Sequence, residues 1–455
     1  MKKIVLTGFR GTGKTSVGRI LADRLVVPFF DTDTLVERQA GMPIPEIFRR
    51  HGEVRFRALE REVIASLRGV EGVISTGGGA VCDPANVADL RWHGMVFLLS
   101  AAPAVIHERI AGSDRPELTD LSPAEEVQAL LARRKEAYLG AADVCIDTGK
   151  LAPGEVADMI IREVDGESGP SPGEKRERDT LLGRFGLSDL GEMLDRDPRL
   201  RVCAIAGNPC THSRSPFLYN RLFAHFGMHY HYTLLEWPDV ETIIRLANLL
   251  PTKGLSVTIP FKTDVMRHLD EVDDHAEAIG AVNTVVWCGA RMYGHNTDWL
   301  GVRAPLAHRR GARAVVLGAG GAAAAAVYAL VSLDMDVTVL ARRPDAARRL
   351  AGRFGCRWGV LEEFRGADVD VVVDATPVGM EPDTRSLLAP GDLEPGTTVF
   401  DLVYTPPETP LIRAAKEAGC ETIPGTEMFA HQAVAQFRLI TGIAVTPALV
   451  REMLL

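Results

Sequence analysis

A glycine-rich loop near the start of the chain carries residue types that bind phosphate. It reads Gly8-Phe9-Arg10-Gly11-Thr12-Gly13-Lys14-Thr15, between a short apolar run (residues 4–6) and a predicted amphipathic helix (residues 16–25). The pattern G-x-x-x-x-G-K-[ST] between a strand and a helix is that of a P-loop, whose backbone N–H groups and helix N-terminus surround phosphate oxygens. A chance match in a glycine-rich loop is the alternative. The pattern predicts that this part of the chain binds a nucleoside triphosphate.

Within the loop, Lys14 would reach the outer phosphates, and Thr15 would offer its hydroxyl to magnesium. The residues predicted to bind ATP from this loop are Gly8, Gly11, Thr12, Gly13, Lys14, Thr15 and Ser16.

Two carboxylates follow the second predicted strand (residues 28–30), in the triplet Asp31-Thr32-Asp33. Parallel strands end at the same edge of a sheet, so these carboxylates should lie near the phosphates. One would hold magnesium through water, and the other would accept a hydroxyl proton, as phosphoryl transfer to an alcohol requires. The alternative is that Asp31 or Asp33 caps the helix predicted over residues 34–40.

Arginines and glycines further along add groups for an anionic substrate. Arginine is the usual fork for carboxylate or phosphate, and consecutive glycines let the backbone approach a ligand closely. A single arginine is more often a solvated surface residue. The residues concerned are Arg57, Gly77-Gly78-Gly79, Arg115-Pro116 and Arg134. Together with the P-loop and the aspartate triplet, they make residues 1–164 resemble shikimate kinase.

The resemblance implies an α/β domain of the P-loop NTPase type, built on a parallel sheet, that transfers phosphate from ATP to shikimate with Mg²⁺. It places Thr15 and Asp31 at the metal, and Arg115 on a lid (residues 111–121) that swings over the transferring phosphate and also binds ATP. Lys14, Asp33 and Arg115 would be catalytic. The residues implied for shikimate are Asp33, Arg57, Gly78, Gly79 and Arg134.

A second glycine loop, Gly318-Ala319-Gly320-Gly321, follows the apolar run over residues 314–317. Such a turn lets a pyrophosphate sit on the N-terminus of the next helix. NAD sites usually have an acid after the next strand, whereas here the strand over residues 337–340 leads into Ala341-Arg342-Arg343. Two arginines suit a 2′-phosphate, so the sequence favours NADP over NAD. Exposed charges at a helix start are the alternative.

Between the two glycine loops, several strand ends carry small hydroxyls and amides, which suit a polyhydroxylated ligand. Lys262 and Asp298 are the charged side chains at these strand ends. An aspartate partner would orient the lysine so that it delivers a proton to a carbonyl oxygen while hydride reaches the carbon. A surface ion pair is the alternative.

From about residue 202 to the C-terminus, these motifs resemble shikimate dehydrogenase, which has a substrate domain and a Rossmann NADP domain. The resemblance makes Lys262 and Asp298 catalytic. It implies a shikimate site at Ser213, Ser215, Thr258, Lys262, Asn283, Asp298, Tyr404 and Gln432. It implies an NADP(H) site at Gly318, Ala319, Gly320, Gly321, Ala322, Arg342, Arg343, Thr376, Gly425 and Met428. Ser256 and Asp374 stand where the family usually has asparagine.

The two resemblances together predict a bifunctional enzyme of chorismate and aromatic amino-acid biosynthesis. The second part would reduce 3-dehydroshikimate with NADPH, and the first would phosphorylate the resulting shikimate. One alternative is a quinate/shikimate dehydrogenase that works oxidatively. Another is a sensor or scaffold in which one half is catalytically silent.

Length and composition limit the remaining choices. A chain of 455 residues is too long to fold around a single hydrophobic core. The predicted domains are a kinase domain (residues 1–164), a linker and connecting segment (165–198), a substrate domain (199–300, completed by 424–455) and an NADP domain (301–423). A net charge of −9 without like-charge blocks argues against nucleic acid. Seven scattered cysteines predict no disulfide framework and a cytoplasmic protein. Neither a signal peptide nor a membrane segment is predicted, and a homodimer is compatible with the sequence.

Overall fold

The computed structural model describes residues 3–110, 121–166, 169–364, 366 and 369–455. The chain divides into two units. The first comprises Met1–Ser256, Val286–Met292 and Phe437–Val445, and the second comprises Val257–Val285, Tyr293–Gln436 and Thr446–Leu455. Among the helices whose residues are described, none combines the length and apolar character needed to cross a bilayer.

The first sheet is parallel and has five strands in the order β2-β3-β1-β4-β5. The strands are β1 (Lys3–Thr7), β2 (Phe29–Asp31), β3 (Gly72–Ser75), β4 (Met95–Ser100) and β5 (Val144–Asp147). Central strands such as β1 are buried along their whole length, as expected for a parallel sheet covered on both faces. Because the strands run in one direction, the loops after β1, β2 and β3 leave the sheet at the same edge.

Seven helices accompany this sheet in the described part of the chain. They are α1 (Lys14–Leu25), α2 (Thr32–Ala40), α3 (Ile44–Ser66), α4 (Pro84–Arg91), α5 (Pro103–Ile110), α6 (Pro123–Ala141) and α7 (Pro153–Asp165). Val17 and Leu21 of α1 and Ile160 of α7 pack with Leu6 and Phe97 of the strands in one apolar cluster. This packing fixes the start of α1, and with it the P-loop, against the sheet.

Two further helices follow, α8 (Pro172–Arg184) and α9 (Ser188–Arg196), in the stretch over residues 165–198 that the sequence predicted as a linker and connecting segment. The prediction was wrong for α8, because Ser171 and Glu174 form a reciprocal capping box at its start. Its charged residues are also satisfied locally, since the buried Arg178 pairs with Asp195 of α9 at 2.9 Å. A segment rich in charge can therefore fold here as a helical hairpin.

The second sheet has the order β7-β6-β8-β10-β11-β9. Its strands are β6 (Arg201–Gly207), β7 (Tyr230–Glu236), β8 (Thr252–Val257), β9 (Glu271–Val272), β10 (Thr284–Cys288) and β11 (Arg291–His295). Its helices are α10 (Ser215–His225), α11 (Val240–Leu249), α12 (Asp274–Ile279) and α13 (Asp298–Leu306).

The third sheet is parallel, with the order β14-β13-β12-β15-β16-β17 of a doubly wound Rossmann fold. Its strands are β12 (Arg313–Leu317), β13 (Asp336–Ala341), β14 (Arg357–Val360), β15 (Val371–Asp374), β16 (Thr398–Asp401) and β17 (Glu421–Ile423). The remaining helices are α14 (Gly321–Val331), α15 (Pro344–Phe354), α16 (Pro410–Glu417), α17 (Gly425–Thr441) and α18 (Pro447–Leu454). The alanine-rich α14 is buried in the core of this sheet, as its composition predicts.

Within the first unit, the first and second sheets are joined by direct contacts. The buried Lys253 of β8 donates a hydrogen bond to the carbonyl oxygen of Leu139 in α6, at 2.7 Å. Cys145 of β5 and Cys288 of β10 form a disulfide. The expectation that the cysteines would form no disulfide was wrong for this pair, because its members are 143 residues apart and only the packing of the two sheets brings them together.

Candidate functional sites

The P-loop has the geometry of a phosphate cradle. Gly8 has a φ of 137°, and a Cβ there would lie 2.1 Å from the carbonyl oxygen of Leu99, so only glycine fits. Lys14 begins α1, and its Nζ donates to the carbonyl oxygens of Gly8 and Phe9 at 2.8 and 2.9 Å. The lysine therefore lies across the loop, where a bound phosphate would meet it.

Asp31 ends β2 and faces the P-loop. Its Oδ1 accepts the backbone N–H of Asp33 and Thr34 at 3.1 and 3.4 Å, so it caps α2 as the alternative interpretation had it. Its Oδ2 also accepts the Thr15 hydroxyl at 3.0 Å. Mg²⁺ prefers one or two protein oxygens, with phosphates and waters completing its octahedron, and this pair of oxygen donors fits that requirement.

A second cluster lies at the same edge, around the glycines after β3. A Cβ on Gly77 would lie 2.6 Å from Oδ1 of Asp33 and 3.0 Å from Oε1 of Glu60, so both carboxylates lie close to the backbone of Gly77. Arg57 donates to Glu60 at 2.7 Å and to Glu53 at 3.1 Å. Burial opposes the charge of Arg57, but the two glutamates outweigh it and hold its pKa above the ordinary value.

Arg134 completes this cluster from α6. Its Nη1 donates to the carbonyl oxygen of Gly78 at 3.1 Å, and the hydroxyl of Tyr138 donates to the same oxygen. A Cβ on Gly79 would lie 2.9 Å from Arg57, so both arginines lie close to the glycine triplet. Arg115, the lid residue, lies outside the described residues.

The second glycine loop lies at the carboxyl end of β12. Gly318 has a φ of 113°, and a Cβ there would lie 3.2 Å from both the carbonyl oxygen of Ala375 and the side chain of Thr376. The helix α14 begins at Gly321, so its N-terminus faces the loop. Arg342 and Arg343 follow β13 and are exposed, and the side chain of neither makes a hydrogen bond or ion pair with another described residue. This arrangement fits a pyrophosphate at the loop and a 2′-phosphate at the arginines.

The lysine–aspartate pair predicted from the sequence is formed in the second unit. Nζ of Lys262 lies 2.5 Å from Oδ2 of Asp298, while Asn283 donates to the other carboxylate oxygen at 2.7 Å. Asp298 is only 5% exposed, so this is not a surface ion pair. A Cβ on Gly321 would lie 3.7 Å from Cδ of Lys262. The pair therefore lies beside the nucleotide loop.

Other predicted residues lie in the same, second unit. Thr258 follows β8, and Gln432 of α17 accepts a hydrogen bond from Thr297, the neighbour of Asp298, at 3.3 Å. The ring of Tyr404 lies 5.1 Å from that of Phe429, and Met428 packs in the core of the third sheet. A Cβ on Gly425 would lie 2.3 Å from the carbonyl oxygen of Val403, at the start of α17.

Ser213 and Ser215 belong to the first unit, at the start of α10. The backbone N–H of Ser215 donates to the Ser213 hydroxyl at 3.2 Å. Ser256, in the same unit, shares a hydrogen bond with the hydroxyl of the buried Tyr232.

Comparison with known proteins distinguishes the two parts of the chain. Residues 10–165 match the shikimate kinase family model. Residues 205–285 match the shikimate dehydrogenase substrate binding domain, and residues 425–455 match the shikimate 5′-dehydrogenase C-terminal domain. A shikimate dehydrogenase (NADP(+)) from Maridesulfovibrio salexigens is 39% identical over 266 residues, which are 56% of this chain and 96% of that protein.

The chain belongs to the shikimate kinase family in its first part and to the shikimate dehydrogenase family in its second. It is a bifunctional enzyme of the shikimate pathway. The predicted α/β fold class is confirmed. Below, the kinase part denotes residues 10–165 and the dehydrogenase part residues 201–455.

Solved structures agree with this assignment of the dehydrogenase part. A shikimate 5-dehydrogenase from Thermus thermophilus, in complex with NADP(H) and shikimate, is 34% identical with a TM-score of 0.52 and covers 56% of this chain and 98% of its own. A quinate dehydrogenase from Corynebacterium glutamicum, in complex with NAD, is 31% identical with a TM-score of 0.51, at 56% and 98% coverage. The fold alone therefore does not choose between the two nicotinamide cofactors.

The kinase part contains one important carboxylate that the sequence-based prediction missed. Glu60 is 2% exposed, binds Arg57 and has a buried Oε1 without a hydrogen-bond partner. Burial raises its pKa, against the opposing charge of Arg57, and nearby Asp33 raises it further. Its spacing of three residues from Arg57 on one helix was the available signal.

The dehydrogenase part contains a buried carboxylate pair beside its predicted cofactor site. Asp374 and Asp401 are partners in register at the ends of β15 and β16. Burial, and then the charge of Asp401, raises the pKa of Asp374 to about 8, and burial raises the pKa of Asp401 to about 6. An unfolded aspartate titrates near pH ~3.9. The folded chain therefore binds more protons between about pH 4 and pH 8, and its stability falls as pH rises through that window.

Asp374→Asn is expected to raise the melting temperature at pH 8 and to have little effect at pH 4–5, because a neutral amide replaces a carboxyl that is costly to ionise. Each kcal/mol added to the free energy of unfolding raises the melting temperature by roughly 2–4 °C for a part of this size. Differential scanning calorimetry across pH measures it. Asp334→Asn, at an exposed aspartate paired with Arg310, is the control and should show no such trend. Equal shifts at both pH values would contradict the explanation.

Proposed function

We propose that the dehydrogenase part reduces 3-dehydroshikimate to shikimate with NADPH, and that the kinase part phosphorylates shikimate on its 3-hydroxyl with ATP and Mg²⁺. One observation carries the proposal: each part has a cluster of buried and half-buried polar groups beside a nucleotide loop. In the dehydrogenase part this set is Lys262, Asp298 and Asn283 beside Gly321. In the kinase part it is Asp33, Arg57, Glu60 and Arg134 beside the P-loop.

In the dehydrogenase part, the residues handle the proton while NADPH, when bound, supplies the hydride to the carbonyl carbon. Lys262 donates a proton from its ammonium group to the carbonyl oxygen, which becomes the new hydroxyl, and it recovers a proton from solvent. Asp298 holds the lysine in place and is itself fixed by Asn283. Ser213, Ser215, Thr258, Tyr404 and Gln432 are proposed to bind the ring hydroxyls and the carboxylate.

In the kinase part, the residues position the acceptor hydroxyl and neutralise charge. Arg57 and Arg134 bind the shikimate carboxylate, while Asp33 orients the 3-hydroxyl and accepts its proton as the oxygen attacks the γ-phosphate. Lys14 stabilises the negative charge on the transferring phosphoryl group. Mg²⁺, held through Thr15 and Asp31, supplies further charge neutralisation at the phosphates. Arg115 is proposed to act from the lid.

The cofactor of the dehydrogenase part is proposed to be NADP(H). The exposed, unpaired Arg342 and Arg343 support this choice, because they can bind a 2′-phosphate that NAD lacks. The named NADP(+)-dependent relatives support it as well. The alternative of an oxidative quinate/shikimate dehydrogenase is less favoured. Initial rates with NADPH and NADH, and with shikimate and quinate, compare the two directly.

The bifunctional assignment is tested by one reaction mixture of 3-dehydroshikimate, NADPH, ATP and Mg²⁺ with the full chain. Shikimate 3-phosphate is expected to accumulate. Accumulation of shikimate alone would remove the kinase activity from the proposal, and persistence of 3-dehydroshikimate would remove the reductase activity. Ligand binding without turnover in either part would favour the sensor or scaffold alternative.

Arg57→Lys is expected to raise the shikimate KM of the kinase roughly 10- to 100-fold while leaving the ATP KM unchanged. The lysine keeps the charge but loses the fork, and a hydrogen bond to a charged group contributes about 1.5–3 kcal/mol. Steady-state kinetics with each substrate varied measures the effect. Arg55→Lys, at an exposed arginine of the same helix, is the matched control. An equal rise in both KM values would argue against a role in shikimate binding.

Three coarser points complete the proposal. Domain boundaries are proposed at residues 164, 198, 300 and 423, around the three sheets. A homodimer is proposed for test by analytical ultracentrifugation. Cytoplasmic localisation, testable by cell fractionation, is supported by five free cysteines (Cys82, Cys203, Cys210, Cys356 and Cys420), whereas the disulfide is more typical of an oxidising compartment.

A further inference from the structure

A cavity of about 290 Å³ opens between the kinase part and the dehydrogenase part, inside the first unit. Its walls come from the start of β4 in the kinase part and from the starts of β6 and β7 in the dehydrogenase part. Lys14 and Asp33 lie at the opposite, carboxyl edge of the first sheet, and Lys262 and Asp298 belong to the second unit. The cavity is therefore separate from the P-loop and from the Lys262 site.

On one side, the cavity is lined by side chains that form hydrogen bonds with one another and with the backbone. Arg91 donates to the carbonyl oxygen of Ala141 at 2.6 Å and also binds Asp143 and the hydroxyl of Tyr230. Asp143 accepts from Arg91, from Tyr230 and from the backbone N–H of Val96. Both terminal nitrogens of Arg91 and both carboxylate oxygens of Asp143 are hydrogen-bonded within the protein, so neither is the group proposed to bind a ligand.

Two further arginines line the cavity, and each pairs with a carboxylate that is not itself a lining residue. Arg201, 8% exposed at its side chain, pairs with Glu163 at 2.5 Å, and its buried Nε has no hydrogen-bond partner among the described residues. Arg199 donates from Nε to Asp197 at 3.2 Å and remains 35% exposed. Neither Glu163 nor Asp197 lines the cavity. Three arginines and one carboxylate, Asp143, therefore line the cavity.

Two histidines extend this surface. Nδ1 of His229 lies 3.5 Å from Asp197, and His93 lies across the cavity at the turn before β4. Both side chains can donate hydrogen bonds to an anion. A concentration of guanidinium and imidazole groups around an enclosed space is the chemistry that recognises planar or tetrahedral oxyanions.

We propose that this cavity binds a small oxyanion, a phosphate or a carboxylate, through Arg199, Arg201, His93 and His229. The volume of the cavity is close to the smallest volumes of small-molecule sites, roughly 300 Å³, and is larger than a bare phosphate ion. The cavity therefore has room for the anion alone or for an anion carried on a small organic body. Binding of an anion in this cavity requires neither the reductase nor the kinase activity, so this proposal is independent of the proposed function.

The test uses the full chain and the ring signals of His93 and His229 in its NMR spectrum, assigned with His93→Gln and His229→Gln. Inorganic phosphate is titrated in one arm and shikimate 3-phosphate in another. Both signals are expected to move and to saturate, with a dissociation constant of about 1 mM or tighter. Tighter binding of shikimate 3-phosphate assigns the cavity to an organic phosphate, and equal binding assigns it to free phosphate.

Arg199→Gln is the decisive variant, because Arg199 is partly exposed and its loss leaves the Arg91 network intact. It is expected to weaken binding at least tenfold. Arg196→Gln, at an exposed arginine of α9 paired with Glu192, is the matched control and should bind like the unchanged protein. Histidine signals that stay fixed, that drift without saturation, or that respond equally in Arg199→Gln would overturn the proposal.

Discussion

Lys262→Ala is expected to slow the reduction of 3-dehydroshikimate by roughly 100- to 10,000-fold, the range that positioned proton transfer contributes. The reason is geometric. Lys262 is held 2.5 Å from a buried aspartate and beside the nucleotide loop, so no solvent-exposed group replaces it readily. The decrease of NADPH absorbance measures the rate. Phosphorylation of added shikimate by the same variant should continue at the original rate.

A matched control exists in the same unit. Lys416 is exposed and pairs with Glu408 at the same 2.5 Å distance, so Lys416→Ala removes an equivalent ion pair without touching the site. It should leave reduction unchanged. Because Lys262→Ala leaves Asp298 buried without its cation, its melting temperature must be compared as well. A folded Lys262→Ala variant that retains more than half of the rate would exclude the proton-donor role.

Lys14→Ala is expected to slow phosphorylation of shikimate by roughly 100- to 1000-fold, as does the loss of other groups that stabilise transition-state charge. The lysine spans the P-loop by binding the carbonyl oxygens of Gly8 and Phe9, so it is already placed where the transferring phosphoryl group would lie. Formation of shikimate 3-phosphate from ATP measures the effect. With 3-dehydroshikimate and NADPH also present, this variant should stop at shikimate.

The control for Lys14→Ala is Lys175→Ala, at an exposed lysine of α8 that pairs with Asp195. Neither activity should change in that variant. If Lys14→Ala lowered both activities together, the effect would have to be ascribed to folding. Unaltered phosphorylation would contradict the assignment of the P-loop as the ATP site.

The nucleotide loops and the lysine–aspartate pair were predictable because they depend on local patterns. A strand, a glycine turn and a helix are contiguous in sequence, and the parallel topology then brings Asp31 and Gly77 to the P-loop edge. Lys262 and Asp298 lie 36 residues apart, yet each lies within five residues of the end of a strand, β8 and β11 respectively. The rule that parallel strands present their carboxyl ends together was sufficient to pair them.

The features that escaped prediction depend on packing between distant segments. Glu60 looked like one charge among many on a helix, and only its burial against Arg57 and Gly77 gives it a role. The charged stretch that begins α8 was predicted as a linker because composition does not show that Arg178 would pair with Asp195. The pairing of Cys145 with Cys288 likewise depends on the contact of two sheets.

That bond changes what a break in the polypeptide would do. Gly169 and Pro170 are exposed, directly before α8, and offer a protease access to the main chain. After cleavage there, the disulfide would still link the two fragments. They would migrate together on a gel and would separate once a thiol reagent reduced the disulfide. The kinase would thus remain attached to its neighbour after the only peptide route between them had been cut.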